Sequence, residues 1–231
     1  MIQVTGMNDL HPDSRKTILA IDSQPQQAIW WLPRHQAKLR EKATMDKVDL
    51  LFLGDSIIQA WEQEGKATWE TYYQPRNALN LGFNGDRTEH LLWRLEQGEI
   101  EGISPKLVVL LIGTNNTGHR MDKPQETAQG IKAILTMLEK KLPHTKVLLL
   151  AIFPRSARPT QKLRILNQQV NDLIKDYADD QRIFFVDLNH HFLDQNGHLT
   201  SNVMDDFLHP NAHQYKVWAQ AMEPYIERLM S

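Results

Sequence analysis

Five short apolar runs constrain most strongly what this chain can fold into: Leu50 to Leu53, Ala78 to Leu81, Leu107 to Ile112, Val147 to Phe153 and Ile183 to Val186. They are often β-branched and mostly lack polar alternation, which suits parallel strands covered on both faces. Between them lie helical stripes: Ile131, Ile134, Leu135 and Leu138; Leu163, Leu166, Val170, Leu173 and Tyr177; and Tyr215, Trp218, Met222, Tyr225, Ile226 and Leu229. Apolar residues three and four apart mark one buried face of a helix. Pro124 and Pro143 bracket the first stripe, and Pro224 falls inside the last, where a kink is expected. Strands alternating with helices through right-handed crossovers predict an α/β fold, a three-layer α/β/α sandwich. Five strands favour a flavodoxin-like parallel sheet of order 2-1-3-4-5. The 231 residues suit a single domain, read as a polar arm over 1–28 and a body over 29–231. Trp30 and Trp31 end the arm and are expected to pin it to the body by packing.

The formal net charge of -2 gives no general attraction for nucleic acid or an anionic membrane. With no cysteine in the chain, thiol catalysis, disulfides and cysteine metal sites are excluded. The N-terminus lacks a basic region followed by an apolar core, and no run is long enough for membrane insertion as a helix. The expected location is cytoplasmic; a secreted or periplasmic protein whose signal peptide has been removed would read the same way.

Parallel sheets of this kind bind ligands outside the carboxyl ends of their strands, near the switch point of the strand order. Three polar clusters occupy such ends. Gly54-Asp55-Ser56 follows the first run, Gly82-Phe83-Asn84-Gly85-Asp86 the second and Gly113-Thr114-Asn115-Asn116 the third. In the order 2-1-3 these ends are neighbours, so Ser56, Gly85 and Asn115 can converge. A nucleophilic serine needs donors aimed at the oxygen that becomes negative. The backbone N–H of Ser56 at a helix start, the N–H of Gly85 and the side-chain amide of Asn115 are the candidates.

A base is also required, and Asp206 with His209 in Asp205-Asp206-Phe207-Leu208-His209-Pro210-Asn211 offers one. Three residues apart on a turn, the carboxylate can accept a hydrogen bond from Nδ1–H and leave Nε2 facing outward. Asn211 and Gln214 resemble a capping box opening the last helix. The fifth strand lies about 14 Å from the first, and the stretch from Asn189 to Asp205 is long enough to cross. A metal site is the competing reading, with His209, His213, His190, His191 and Asp205 as donors. It leaves the Gly-Asp-Ser and Gly-Thr-Asn-Asn clusters without roles, and the expected set of metals and cofactors is none. Arg155, Arg158 and Lys162 follow the fourth run; they form a solvated basic loop or an attraction for an acidic leaving group.

With those residues in hand, the chain resembles the SGNH hydrolases, the GDSL esterase/lipase family. Gly54-Asp55-Ser56, Gly85-Asp86, Gly113-Thr114-Asn115 and Asp206-Phe207-Leu208-His209 occur in family order. Ala78-Leu79-Asn80-Leu81-Gly82 and His90-Leu91-Leu92-Trp93-Arg94-Leu95 are similar to the branch of platelet-activating-factor acetylhydrolase catalytic subunits. Ile57 stands where the family's name has Leu, and Asn116 where many relatives have Asp. The resemblance implies Ser56 as nucleophile, His209 as base and Asp206 as its orienter, with an oxyanion hole of Ser56, Gly85 and Asn115. It implies a serine esterase for short acyl groups, acetyl above all, acting through an acyl-serine intermediate without cofactor. The partner is then a small-molecule acyl ester, with acetylated sugars among the candidates, and a homodimer is a family expectation. Thioesterase or lysophospholipase activity, a non-catalytic binding module and a metal-dependent hydrolase are the alternatives. Short connections at the strand ends and the lack of a lid-sized insertion point to an open, shallow site.

Overall fold

A computed structural model describes residues 19–231. The part of the expected arm over 1–18 lies outside the described residues. The chain runs α1 (Trp31–Thr44), β1 (Leu50–Gly54), α2 (Ser56–Gln59), α3 (Lys66–Tyr72), β2 (Ala78–Gly82), α4 (Thr88–Glu96), β3 (Leu107–Leu111), α5 (Pro124–Lys141), β4 (Lys146–Leu150), α6 (Lys162–Ile174), β5 (Ile183–Val186) and α7 (Ala212–Met230). The strands form one parallel sheet in the order β2-β1-β3-β4-β5, as the alternation of patterns predicts.

Successive side chains of a strand face opposite ways, and here both faces are buried. Leu51 and Leu53 of β1 join Leu91 of α4, Ile131 of α5 and Val170 of α6 in one core, while Leu50 and Phe52 join Ile57, Trp61 and Trp218 in the other. These two cores make the three layers of an α/β/α sandwich. In α7 the buried residues include Tyr215, Trp218, Met222, Ile226 and Leu229, and the helix continues past Pro224 to Met230. Of the arm's two tryptophans only Trp31 is buried; Trp30 is 39% exposed. Among the described residues no helix is long and apolar enough to cross a membrane.

Two expectations are corrected, and both corrections concern asparagines. The fourth run was expected to form a strand through Phe153, yet β4 ends at Leu150. Beyond it the Asn171 carboxamide accepts from the Ile152 N–H at 2.7 Å and donates to the Ile152 carbonyl at 2.9 Å, and Asn167 Nδ2 donates to the Phe153 carbonyl at 3.2 Å. Side chains take over the role of a neighbouring strand, so the buried backbone stays satisfied. The buried face of α6 is correspondingly polar, built of Arg164, Asn167 and Asn171 with Val170 and Ile174, whereas Leu163 and Leu166 are only partly buried.

Candidate active site

The site begins where β1 stops. A Cβ on Gly54 would stand 2.1 Å from the Leu111 carbonyl oxygen of β3, so only glycine lets the strands pack this closely at their carboxyl ends. Asp55 then caps α2, its carboxylate accepting from the Ile57 N–H at 3.0 Å. That cap puts Ser56 at the first helical position. Since α2 has only four residues, what its start offers is the free N–H groups of one turn. Tyr215 of α7 donates to the Ile57 carbonyl at 2.7 Å and ties this turn to the last helix.

Ser56 Oγ lies 2.8 Å from His209 Nε2, and His209 Nδ1 lies 2.6 Å from Asp206 Oδ2. The other Asp206 oxygen accepts from the backbone N–H groups of Leu208 and His209, at 3.0 and 2.9 Å. Burial pushes the Asp206 carboxyl up, but the hydrogen bonds from the His209 backbone and ring outweigh it and hold the group below the usual carboxylate range. Between the two partners Phe207 takes a left-handed φ of 57°, a conformation costly for a bulky side chain. Its carbonyl accepts from the N–H of Ser156, itself at φ 67°, at 2.9 Å. The turn that carries the histidine is thus fixed by its own carboxylate and braced by the loop after β4.

Gly85 takes φ 71°, which glycine adopts without a Cβ penalty, and no group among the described residues accepts its N–H. The N–H of Gly82 is instead donated to Asn80 Oδ1 at 2.8 Å, so the two glycines have different tasks. Asn115 is buried, and its Nδ2 donates to the Asp86 carbonyl at 3.0 Å. A carboxamide nitrogen carries two hydrogens, so one remains for a ligand. Asn116 supports this loop fully: its Oδ1 accepts from the Thr88 N–H at 3.0 Å and its Nδ2 donates to Asp122 at 3.1 Å. Thr117 completes the anchorage by donating to Asn167 Oδ1 at 2.6 Å.

Ser56, Gly85, Asn115 and His209 line one cavity of about 380 Å³, which Ala60, Gln63, Glu64, Asn84, His119 and Leu208 also line. Every residue expected at the site from the sequence borders it or, as Asp206, touches one that does. Glu64 and His119 are additions that no motif signals. His119 sits in a π-helical turn over Asn116–Arg120, and burial, with the fields of Arg87, Arg155 and Arg120, pushes its imidazole below the usual histidine range. π-turns favour functional sites, but the sequence does not announce one here.

Two alternatives lose support. Arg155 Nη1 is spent on the Thr114 carbonyl at 2.8 Å, Arg158 is exposed, and neither borders the cavity, whose acidic side chain is Glu64. Among the described residues an attraction for an acidic leaving group therefore has no arginine or lysine in the cavity wall to act through. The histidines imagined around a metal are separated in use: His209 faces Ser56 and Asp206, while the His190 and His191 rings lie against each other, tilted by 39° with centroids 3.9 Å apart. Among the described residues no three His, Cys, Asp or Glu side chains gather to hold an ion. Asn211 caps α7 by accepting from the Gln214 N–H at 3.1 Å, but its own N–H goes to the Val203 carbonyl, so only half of the expected capping box forms.

A sandwich of this topology, with a serine presented beside a histidine at the strand ends, defines a serine hydrolase. The family model of the GDSL-like lipases/acylhydrolases matches residues 52–217, and the human platelet-activating factor acetylhydrolase IB subunit alpha1 is 34% identical over 202 residues, 87% of this chain and 84% of that protein. The chain belongs to the GDSL-like lipase/acylhydrolase family and is a carboxylic ester hydrolase. A GDSL-like lipase from Bacteroides thetaiotaomicron shares the fold with a TM-score of 0.71 at 20% identity, covering 84% of this chain and 97% of that one. An acetylxylan esterase from Geobacillus stearothermophilus does so with a TM-score of 0.62 at 16% identity, covering 80% and 96%.

Proposed function

We propose that Ser56 is the nucleophile of an esterase for short acyl groups, acetyl in the first place. The observation that carries this reading is the relay from Ser56 Oγ to His209 Nε2 at 2.8 Å and from His209 Nδ1 to Asp206 at 2.6 Å. Ser56 Oγ attacks the ester carbonyl carbon as its proton passes to His209 Nε2. The negative oxygen of the tetrahedral intermediate is received by the N–H groups of Ser56 and Gly85 and the free N–H of Asn115. Collapse breaks the bond to the alcohol, which leaves with the proton from His209. Water then repeats the sequence on the acyl-Ser56 ester, with His209 as base, and releases the acid. Asp206, kept ionised, holds the imidazole tautomer that leaves Nε2 free to accept. In this reading residues 29–231 form one catalytic body.

The preference for a short acyl group is supported by the cavity of about 380 Å³, at the small end for ligand sites, and by a relative named an acetylhydrolase. Acetylated sugars are the natural esters to try first, since Gln63, Glu64, Asn84 and His119 surround the serine with hydrogen-bonding groups. The test is an ester panel: p-nitrophenyl acetate against the decanoate, with acetylated sugars beside them. A higher kcat/KM on acetate supports the reading; a higher value on decanoate overturns the acyl-length assignment. Release of acetate from none of the sugars removes the carbohydrate part alone.

A further inference from the structure

Two of the three groups assigned above to the oxyanion, the Gly85 N–H and the Asn115 amide, meet at Asp86, and part of what holds Asp86 comes from outside the segment that the family model matches. That segment is 52–217, whereas Gln26 and Trp31 lie upstream of it. The Asp86 carbonyl orients Asn115, and the Asp86 carboxylate takes Trp31 Nε1 at 2.6 Å, Gln26 Nε2 at 3.1 Å and Arg94 Nε at 2.8 Å. Gln26 Nε2 also donates to the Asn84 carbonyl at 3.0 Å, so one carboxamide bridges the residues on both sides of Gly85. Its nitrogen stands 3.6 Å from where a Cβ of Gly85 would be.

The bridge matters because of what glycine lacks. A residue without a Cβ does not fix its own peptide direction, so the aim of the Gly85 N–H depends on bonds made by its neighbours. Inside the loop these are the Asp86 N–H to the Phe83 carbonyl at 3.1 Å and the Asn84 N–H to Gln59 Oε1 at 2.8 Å. Gln26 supplies the contact that spans the glycine itself. The chain before it is tied down: the Gln24 N–H reaches the Glu89 carbonyl at 3.3 Å, and Thr88 Oγ1 the Ala20 carbonyl at 2.8 Å. Trp31 is fully buried against Phe83 and Trp93.

We propose that Gln26, supported by Trp31, is a positioning residue for the oxyanion hole, setting the direction of the Gly85 N–H through Asn84 and Asp86. This rests on the reading of Ser56 as nucleophile and Gly85 as donor. Gln26 does not line the cavity, so its removal acts on the developing oxyanion and not on substrate binding.

The experiment measures kcat and KM of the full chain and its Gln26→Met variant on p-nitrophenyl acetate, together with inhibition by an alkylboronic acid, which forms a tetrahedral adduct with a serine. Misplacing a catalytic group by 1 Å can cost about 100-fold, so a loss in kcat of about tenfold or more is expected, with KM within about twofold. Boronate inhibition should weaken by the same factor as kcat/KM, while the thermal midpoint stays near that of the wild type. An unchanged kcat, or a loss confined to KM with boronate inhibition intact, overturns the proposal. If Gln26→Met unfolds, Gln26→Glu, of the same size but without the two donated bonds, is read by the same rule. Ser56→Ala run alongside separates the failures. Wild-type rate in that variant removes the serine mechanism, whereas its inactivity beside an unimpaired Gln26→Met removes only the role of Gln26.

Discussion

Ser56 Oγ and His209 Nε2 stand 2.8 Å apart although 153 residues separate them in the chain. Two independent supports bring them there: the Asp55 cap at the end of β1, and the turn in which Asp206 accepts from the backbone of Leu208 and His209. Ser56→Ala should lower kcat on p-nitrophenyl acetate by about 10³-fold or more and leave the thermal midpoint within a few degrees of the wild type. A fluorophosphonate probe should label the wild type and not the variant.

In the proposed mechanism Asp206→Asn removes the charge that stabilises the imidazolium and the acceptor that fixes the tautomer. Turnover should fall by about 10²- to 10⁴-fold, with KM much less affected. Because the Asp206 carboxyl titrates below the usual range, the wild type should not lose activity through this group between neutral pH and about pH 5. The sign for stability follows: the folded state holds Asp206 ionised more firmly than the unfolded chain, so its contribution is present above about pH 4 and fades as the pH falls through the depressed value. Urea unfolding from pH 3 to pH 7 on wild type and variant checks it.

In the proposed mechanism Asn115→Ala takes away one donor to the oxyanion, and it leaves the Asp86 carbonyl without its partner among the described residues. Loss of one such donor costs about 10²- to 10³-fold in kcat, or about 3–4 kcal/mol of transition-state stabilisation. Steady-state kinetics should show that loss in kcat and kcat/KM alike.

Asp55 is fully buried, and among the described residues its Oδ2 has no hydrogen-bond partner. Burial pushes its carboxyl up to about 7, helped by the nearby Asp86. The folded state therefore holds a proton that the unfolded chain gives up near pH 4, and this group makes stability fall as the pH rises from about 4 to about 7. His90 acts the other way, since burial and the neighbouring arginines push it down to about 3 and stability is lost as the pH falls below about 6.5. Asp55→Asn keeps the oxygen that caps Ile57 and removes the first effect only. Its advantage in unfolding free energy over the wild type should grow across pH 4 to 7, by up to about 4 kcal/mol, as read by denaturant titration at each pH.

Asn171→Leu replaces a buried carboxamide that both accepts from and donates to Ile152. The buried Ile152 N–H is stranded, while the Ile152 carbonyl keeps its bond from Asn189 Nδ2 at 3.1 Å. The cost should be about 1–3 kcal/mol, visible as a lower urea midpoint. The loop after β4, which braces the Phe207 carbonyl through Ser156, should loosen with it, so amide exchange there should quicken.

The sequence by itself determined the sheet, its strand order and the residues that meet at its carboxyl ends, because these follow from rules that act locally or through topology. Apolar runs of strand length fix what is buried, strands alternating with helices make the sheet parallel and their number favours the order found, and Gly54-Asp55-Ser56 and Asp206-Phe207-Leu208-His209 each carry their chemistry within a few residues. Only the tertiary structure decided what holds those residues in place. Asn167 and Asn171 read as the polar side of a helix, yet they face inward because the end of β4 needs partners for its buried backbone. Gln26 reads as one glutamine among several in a polar arm, and its bridge across Gly85 exists only once β2, α4 and the arm are packed together. Glu64 and His119 reach the cavity from turns whose shape no short pattern encodes. Periodicity records which residues leave water; the partner that a buried polar group finds is set by long-range packing.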